Sequence, residues 1–365
     1  MMLFHQQRCC RYHLWKCKLV PSMWMDHAAF TSVNGADVSL PLRQFLAFWV
    51  LLAFLLPSIS VFAAEDDAPK VVVPPSKEVS LETKDGVVIK CTYYGGARGE
   101  DIDSKATVPV ILLHGWKGHR IEMDGFSEKL RRTINPKTNR EYGHAVIIPD
   151  LRGHGESTVR RVPNREEGQT FTTDDLRPED FERMYLDLEA VKKYLLERHN
   201  AGELNIELLC IVGSEMSSIV ALNWAILDWE WPTLPTFKQG KDVKAYVLVS
   251  PPQKFNRLTI NQPLNNDLIR KELSAMILVG NKDRKSLSSA NRVHKRLLRF
   301  RPPPPADQRI SRQDLFYVKL DTSLRGTELL NAPGLEVHEK ILKFIDLRLV
   351  RKSSNYPWVD RSKPF

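Results

Sequence analysis

Three apolar runs in this 365-residue chain lead into side chains able to do acid–base or nucleophilic chemistry. IELLCIVG (206–213) runs into Ser214-Glu215, and SAMILVGNKD (274–283) ends on Asp283. LFYVKL (315–320) is followed by a polar stretch from Asp321 to Thr327. A carboxylate such as Glu215 can attack carbon or move a proton. A hydroxyl such as Thr327 does not titrate near neutrality and cannot replace an imidazole base. The histidines offer little help. His114 and His154 follow other apolar runs in Gly-containing turns, and His338 lies inside an amphipathic pattern that reads as helix surface. No H-x-x-x-H, H-E-x-x-H or C-x-x-C spacing occurs, so no metal or other cofactor is expected.

Groups at the ends of apolar runs need a sheet to hold them. VSLETKDGVVIKCTYY (79–94) is two strand runs about Asp85-Gly86, a hairpin signal. VPVILLHG (108–115), HAVIIPD (144–150), IELLCIVG (206–213), KAYVLVSPP (244–252) and SAMILVGNKD (274–283) are short continuous apolar runs, as buried parallel strands should be. LFYVKL is the last strand, after a proline-rich loop at 301–309. Met184, Leu188, Val191 and Leu195 are spaced as one helix face, and residues 335–349 form a closing amphipathic helix. Trp224, Trp229 and Trp231 read as packing rather than a binding cage. Strands alternating with helices predict an α/β fold with a doubly wound, mostly parallel sheet. The stretch between the runs at 244–252 and 274–283 leaves no room for a large lid domain.

The order of these elements resembles the α/β-hydrolase family over residues 79–349, and several motifs carry the resemblance. His114-Gly115-Trp116 follows the third strand, like the family's HG-x segment. Asp150-Leu151-Arg152-Gly153-His154-Gly155-Glu156-Ser157 follows the fourth, like its D-x-R-G-x-G-x-S turn. Gly213-Ser214-Glu215-Met216-Ser217 stands where the family has the G-x-S-x-G elbow. The resemblance implies an eight-stranded sheet and an oxyanion hole built from the N–H groups of Trp116 and Met216. It also implies that Gly213 and Ser217 are the small residues of a cramped turn. The triad of serine, acid and histidine falls on Glu215, Asp283 and Thr327. Placing the nucleophile at Ser214 instead would put branched Val212 at the leading small position, so that register is rejected. Relatives with a carboxylate nucleophile keep the histidine that releases the covalent ester; without it Glu215 could react at most once. Glu215 is expected to act as a plug, with backbone N–H groups of the elbow holding it ionised.

The N-terminus reads separately. FLAFWVLLAFLL (45–56) is preceded by Arg43 and followed by Pro57, small residues and an acidic cluster at 65–67. Residues 1–64 are expected to be an extension ending in a signal peptide or membrane anchor, with membrane association possible through 43–64. A linker over 65–78, an α/β-hydrolase-like domain over 79–350 and a tail over 351–365 complete the plan. The domain is then extracytoplasmic: periplasmic, secreted or anchored outside. Lys and Arg outnumber Asp and Glu by 53 to 44, but the signs are interleaved, so nucleic acid is not an expected partner. The resemblance's strand order separates Cys91 from Cys210 by three strand spacings, roughly 14 Å, too far for a disulfide. The expected function is therefore a non-catalytic pseudohydrolase that binds a small molecule or a protein. The alternatives are an active serine-independent hydrolase or esterase-like enzyme with an unorthodox site, and a membrane-tethered structural protein.

Overall fold

The computed structural model describes residues 71–99, 102–131, 133–134, 141–162, 168–232, 234–235 and 238–362. The expected signal or anchor at 43–64, and all of 1–64, lie outside the described residues. Among the described residues no helix is long and apolar enough to cross a membrane.

Eight main strands form the sheet: β1 (Lys77–Glu82), β2 (Val87–Tyr94), β3 (Pro109–Leu113), β4 (Ala145–Pro149), β5 (Leu209–Ser214), β6 (Val243–Val249), β7 (Ser274–Gly280) and β8 (Leu315–Leu320). Their spatial order is 1-2-4-3-5-6-7-8. From β4 to β8 every neighbour is parallel, and β2 runs antiparallel to β1 and β4. The sheet is larger than the eight strands expected. Val159–Arg160 pairs with the start of β2 and Gln169–Thr170 extends that edge, making ten. The linker boundary also shifts: β1 starts at Lys77, and Val72 already bridges Arg98.

Strand periodicity divides the core between the two faces of the sheet. Ile111 and Leu113 of β3 face one cluster, built with Leu188, Val191 and Leu195 of α2 (Tyr185–Asn200) and with α3 (Ser217–Glu230). Helix α4 (Arg284–Leu298) joins it through Ala290, Val293 and Leu297. Val110 and Leu112 face the opposite cluster. There α1 (Asp124–Arg131) packs Phe126 and Leu130, and α6 (Val337–Arg348) packs Ile341, Phe344 and Ile345. The short α5 (Gly326–Leu330) lies on the same side through Leu329 and Leu330. Trp224 is fully buried, and Trp229 donates its indole N–H to Val243 O at 2.8 Å.

Two inferences, one from strand order and one from the short stretch between two strands, hold. Cys91 on β2 and Cys210 on β5 are free and buried, with β4 and β3 between them. Burial raises both thiols, Cys210 to about 12, so neither forms a reactive thiolate near neutrality. Between β6 and β7 the chain makes only the small hairpin Lys254–Thr259 and short helical turns, with no lid domain. The tail is more firmly built in than its position suggests. Trp358 packs on His199, whose Nε2 lies 2.7 Å from Val359 O, and Arg361 is buried among Glu207 and Asp242.

Candidate functional site

The loops at the carboxyl ends of β3, β5, β6, β7 and β8 meet at one edge of the sheet, where open α/β sheets place their sites. The turn between β5 and α3 is the centre. Its register is the one expected, with Glu215 at the apex. Glu215 has φ +49°, a left-handed conformation that costs a bulky residue about 1–3 kcal/mol. Its N–H donates to Val249 O at 2.8 Å, and its carbonyl accepts from Ser218 N at 3.0 Å. A Cβ on Gly213 would come within 2.6 Å of Ser217 O, so the first small position is obligatory. Ser217 fills the second and donates its hydroxyl to His114 O at 2.5 Å, tying the elbow to the loop after β3. Ser214 is the last residue of β5; its Oγ is buried and has no hydrogen-bond partner.

The loops beside the elbow are fixed by the two other motifs. Leu151 N–H donates to His114 Nε2 at 3.0 Å, so the proton lies on Nδ1, 2.7 Å from Gly115 O. Burial pushes the His114 pKa down to about 4, leaving a neutral strut rather than a base. Asp150 is fully buried, with its carboxylate taking Arg120 N–H at 2.6 Å, the Arg120 guanidinium at 2.5 Å and Glu156 N–H at 3.0 Å. Gly155, at φ +50°, is obligatory because a Cβ there would sit 2.4 Å from that carboxylate. Arg152 is buried against Asp187 and Asp85. Ser157 closes the motif by accepting Lys90 N–H at 2.8 Å. The D-L-R-G-H-G-E-S segment is thus a scaffold, not a reacting group.

The three triad positions reach this edge without forming a triad. Asp283 is the N-cap of α4. Its carboxylate accepts from Ser286 Oγ at 2.6 Å and from Lys285 N–H at 3.1 Å, and the Ser286 hydroxyl leads the effects that lower its pKa. Thr327 sits in the first turn of α5, where its hydroxyl accepts Gly115 N–H at 3.3 Å. Neither is hydrogen-bonded to Glu215. His338 is in the first turn of α6, beside Glu336 at 3.6 Å. No histidine lines the two cavities that Glu215 borders.

Glu215 itself departs from the plug that the motif implies. Among the described residues no backbone N–H, of Trp116, Met216 or any other residue, is hydrogen-bonded to its carboxylate. Its partner is Arg325, with Nε 3.3 Å from Oε1, a pair of which Arg325 is largely exposed. Burial raises the Glu215 pKa, Arg325 opposes this, and the Glu328 and Asp283 carboxylates reinforce it. Desolvation therefore outweighs an ion pair open to solvent. Arg325 was the residue that sequence reading overlooked, although it directly precedes the expected Gly326-Thr327 pair. Gly326, at φ +54°, is required there, since a Cβ would lie 2.8 Å from Glu215 Cγ.

The side chains of Trp116 and Met216, the residues whose backbone N–H groups were the expected donors, build the walls around the elbow. The Trp116 ring packs against Phe181, Phe255 and His154 at centroid distances of 5.5, 5.2 and 5.1 Å. Met216 is fully buried beneath the elbow. Trp116, Glu215 and Arg325 border two cavities at once. One, of about 670 Å³, opens toward the β6 loop and α4; the other, of about 550 Å³, opens toward α5.

A family model described as the alpha/beta hydrolase fold matches residues 108–266, from β3 through the elbow and beyond β6. With the sheet order and the elbow geometry, this identifies the chain as an α/β-hydrolase-fold protein. Its similarities to solved structures are remote. They include a fungal esterase from Rhizomucor miehei (TM-score 0.48, 13% identity, covering 77% of this chain and 86% of that one). Carboxyl esterase 2 from Tuber melanosporum gives a TM-score of 0.47 at 15% identity, covering 85% of this chain and 100% of that one. No curated protein matches the chain.

The raised pKa of Glu215 makes a signed prediction. Stability that depends on its protonated form is present below the unfolded value of about 4.5 and is lost as pH rises through the folded-state value. Glu215→Gln keeps the neutral form at every pH. The variant should melt close to wild type near pH 4.5 and increasingly above it as pH rises from there. A wild type that gains on the variant as pH rises would contradict the assignment.

Proposed function

We propose that this protein is a non-catalytic member of its fold class that binds a small organic ligand in the cavity beside Glu215. One observation carries the reading: the position that presents a nucleophile holds Glu215, its neighbours are Arg325, Glu328, Asp283 and Thr327, and no imidazole lines either cavity to pass a proton between nucleophile and leaving group. Hydrolysis through a covalent intermediate needs both functions. The ligand half of the reading is supported by the cavity of about 670 Å³, a size typical of small-molecule sites, with Trp116 and Phe255 in its wall. A serine-independent hydrolase is the second reading. It draws on the same carboxyl, because a half-buried acid with a raised pKa in a cavity is the kind of group that serves as a general base.

The proposal includes export, on the strength of the apolar segment at 45–56 and its basic and acidic flanks.

Two measurements separate these ideas. The purified protein should hydrolyse p-nitrophenyl acetate and butyrate no faster than buffer. Turnover that disappears in Glu215→Ala would establish the second reading instead. For export, N-terminal sequencing of the protein from its native cells should begin near residue 65, or membrane fractionation should recover an intact anchored chain. An intact chain in the soluble cytoplasmic fraction would remove that part of the proposal.

A further inference from the structure

The larger cavity is charged in one sense. Its wall carries four cations, Lys254, Lys285, Arg292 and Arg325, and one carboxylate, Glu215. Arg325 is spoken for by Glu215. Lys254, Lys285 and Arg292 line the cavity, and none of them forms an ion pair among the described residues.

Two features make this more than a solvated basic surface. First, Lys285, Ser288 and Arg292 recur at intervals of three and four along α4, which aims one helical face at the cavity. Second, the charges are placed against the stability of the helix. The first turn of α4 carries Arg284 and Lys285 and no acidic residue, so cations sit at the positive end of the helix dipole. Asp283 at the N-cap relieves one N–H and stays occupied with Lys285 N and Ser286 Oγ. An anion in the cavity would satisfy both the unpaired side chains and the dipole. Opposite these cations the wall is aromatic, formed by Trp116 and Phe255 at 5.2 Å.

We propose that this cavity binds an organic anion, its carboxylate, phosphate or sulfate head drawn to Lys285, Arg292 and Arg325 and its apolar body packed on Trp116 and Phe255. This rests on the ligand-binding reading above and adds the class of ligand. The field of several like charges in a walled cleft raises the local concentration of anions, and a charge-assisted contact then holds the head group. Arg325 is the contested cation. An anion that engages it competes with Glu215, so bound ligand and the Glu215–Arg325 pair oppose one another.

Two dyes of matched apolar body test this: 8-anilinonaphthalene-1-sulfonate and the neutral N-phenyl-1-naphthylamine. The sulfonate should bind the full-length protein about ten-fold or more tightly than the neutral dye, an advantage that shrinks as salt is raised. Lys285→Glu with Arg292→Glu, both at exposed positions, should abolish most of that advantage. Lys295→Glu, on the same helix but outside the cavity wall, should leave it intact. 1-Naphthyl phosphate or 1-naphthoate should displace the sulfonate, whichever head group the site prefers, and 1-naphthol should not. Equal affinity for both dyes would overturn the anion proposal while leaving a ligand cavity in place. Equal loss in the Lys295→Glu control would assign the effect to general surface charge and also overturn it. Binding of neither dye would overturn this proposal and the ligand-binding reading together.

Discussion

The strained turn at Glu215 is the constraint on which the rest of this edge depends. A left-handed residue between a buried strand and a buried helix works only if the positions on either side stay small. Gly213 and Ser217 meet that demand. The turn also organises its neighbours: Glu215 N–H holds the end of β6 through Val249 O, and Ser217 holds the β3 loop through His114 O. Such strain is ordinarily retained where it serves a reacting group. Here it presents the Glu215 carboxyl group, whose ion-pair partner is Arg325. The geometry for presenting a side chain into a cavity is intact, and the side chain it presents is Glu215.

Support for the turn comes from charges buried far more deeply than Glu215. The Asp150–Arg120 and Arg152–Asp187 pairs lie within the loops behind the site, and all four side chains are almost fully buried. Breaking such a pair by removing one partner typically costs about 3–5 kcal/mol, because it strands a charge in the interior. These contacts hold the D-L-R-G-H-G-E-S segment in place although none of its residues lines either cavity beside Glu215. They position the His114-Gly115-Trp116 loop, and with it the aromatic wall. The scaffold that shapes this edge is therefore held by residues other than Glu215, Asp283 and Thr327.

That separation also governs how much could be read from the chain. Buried strands and the two glycine-bearing motifs were legible because each obeys a local rule: a continuous apolar run, a left-handed glycine, a small residue beneath a turn. Their register followed, down to Glu215 at the apex of the turn. The electrostatics of Glu215 were not legible. The motif predicted backbone N–H groups around its carboxylate, whereas the side chain turns to Arg325, a contact set by how the β8 loop folds back across the sheet edge. The added edge strands at Val159–Arg160 and Gln169–Thr170 were missed because two residues are too few to show a period. The packed tail was missed because Trp358 and Arg361 find partners on α2 and beside β6, over 100 residues away in sequence.

Covalent labelling tests most directly whether the elbow has lost its nucleophile. A fluorophosphonate probe modifies a serine that a neighbouring base has activated. Intact mass and peptide mapping of the labelled protein should show no adduct on Ser214, Ser250 or any other serine of the site beyond that of a heat-denatured control. An adduct on the native protein alone, mapped to residues 209–217, would mean that an activated serine occupies the turn after all, and would contradict the account.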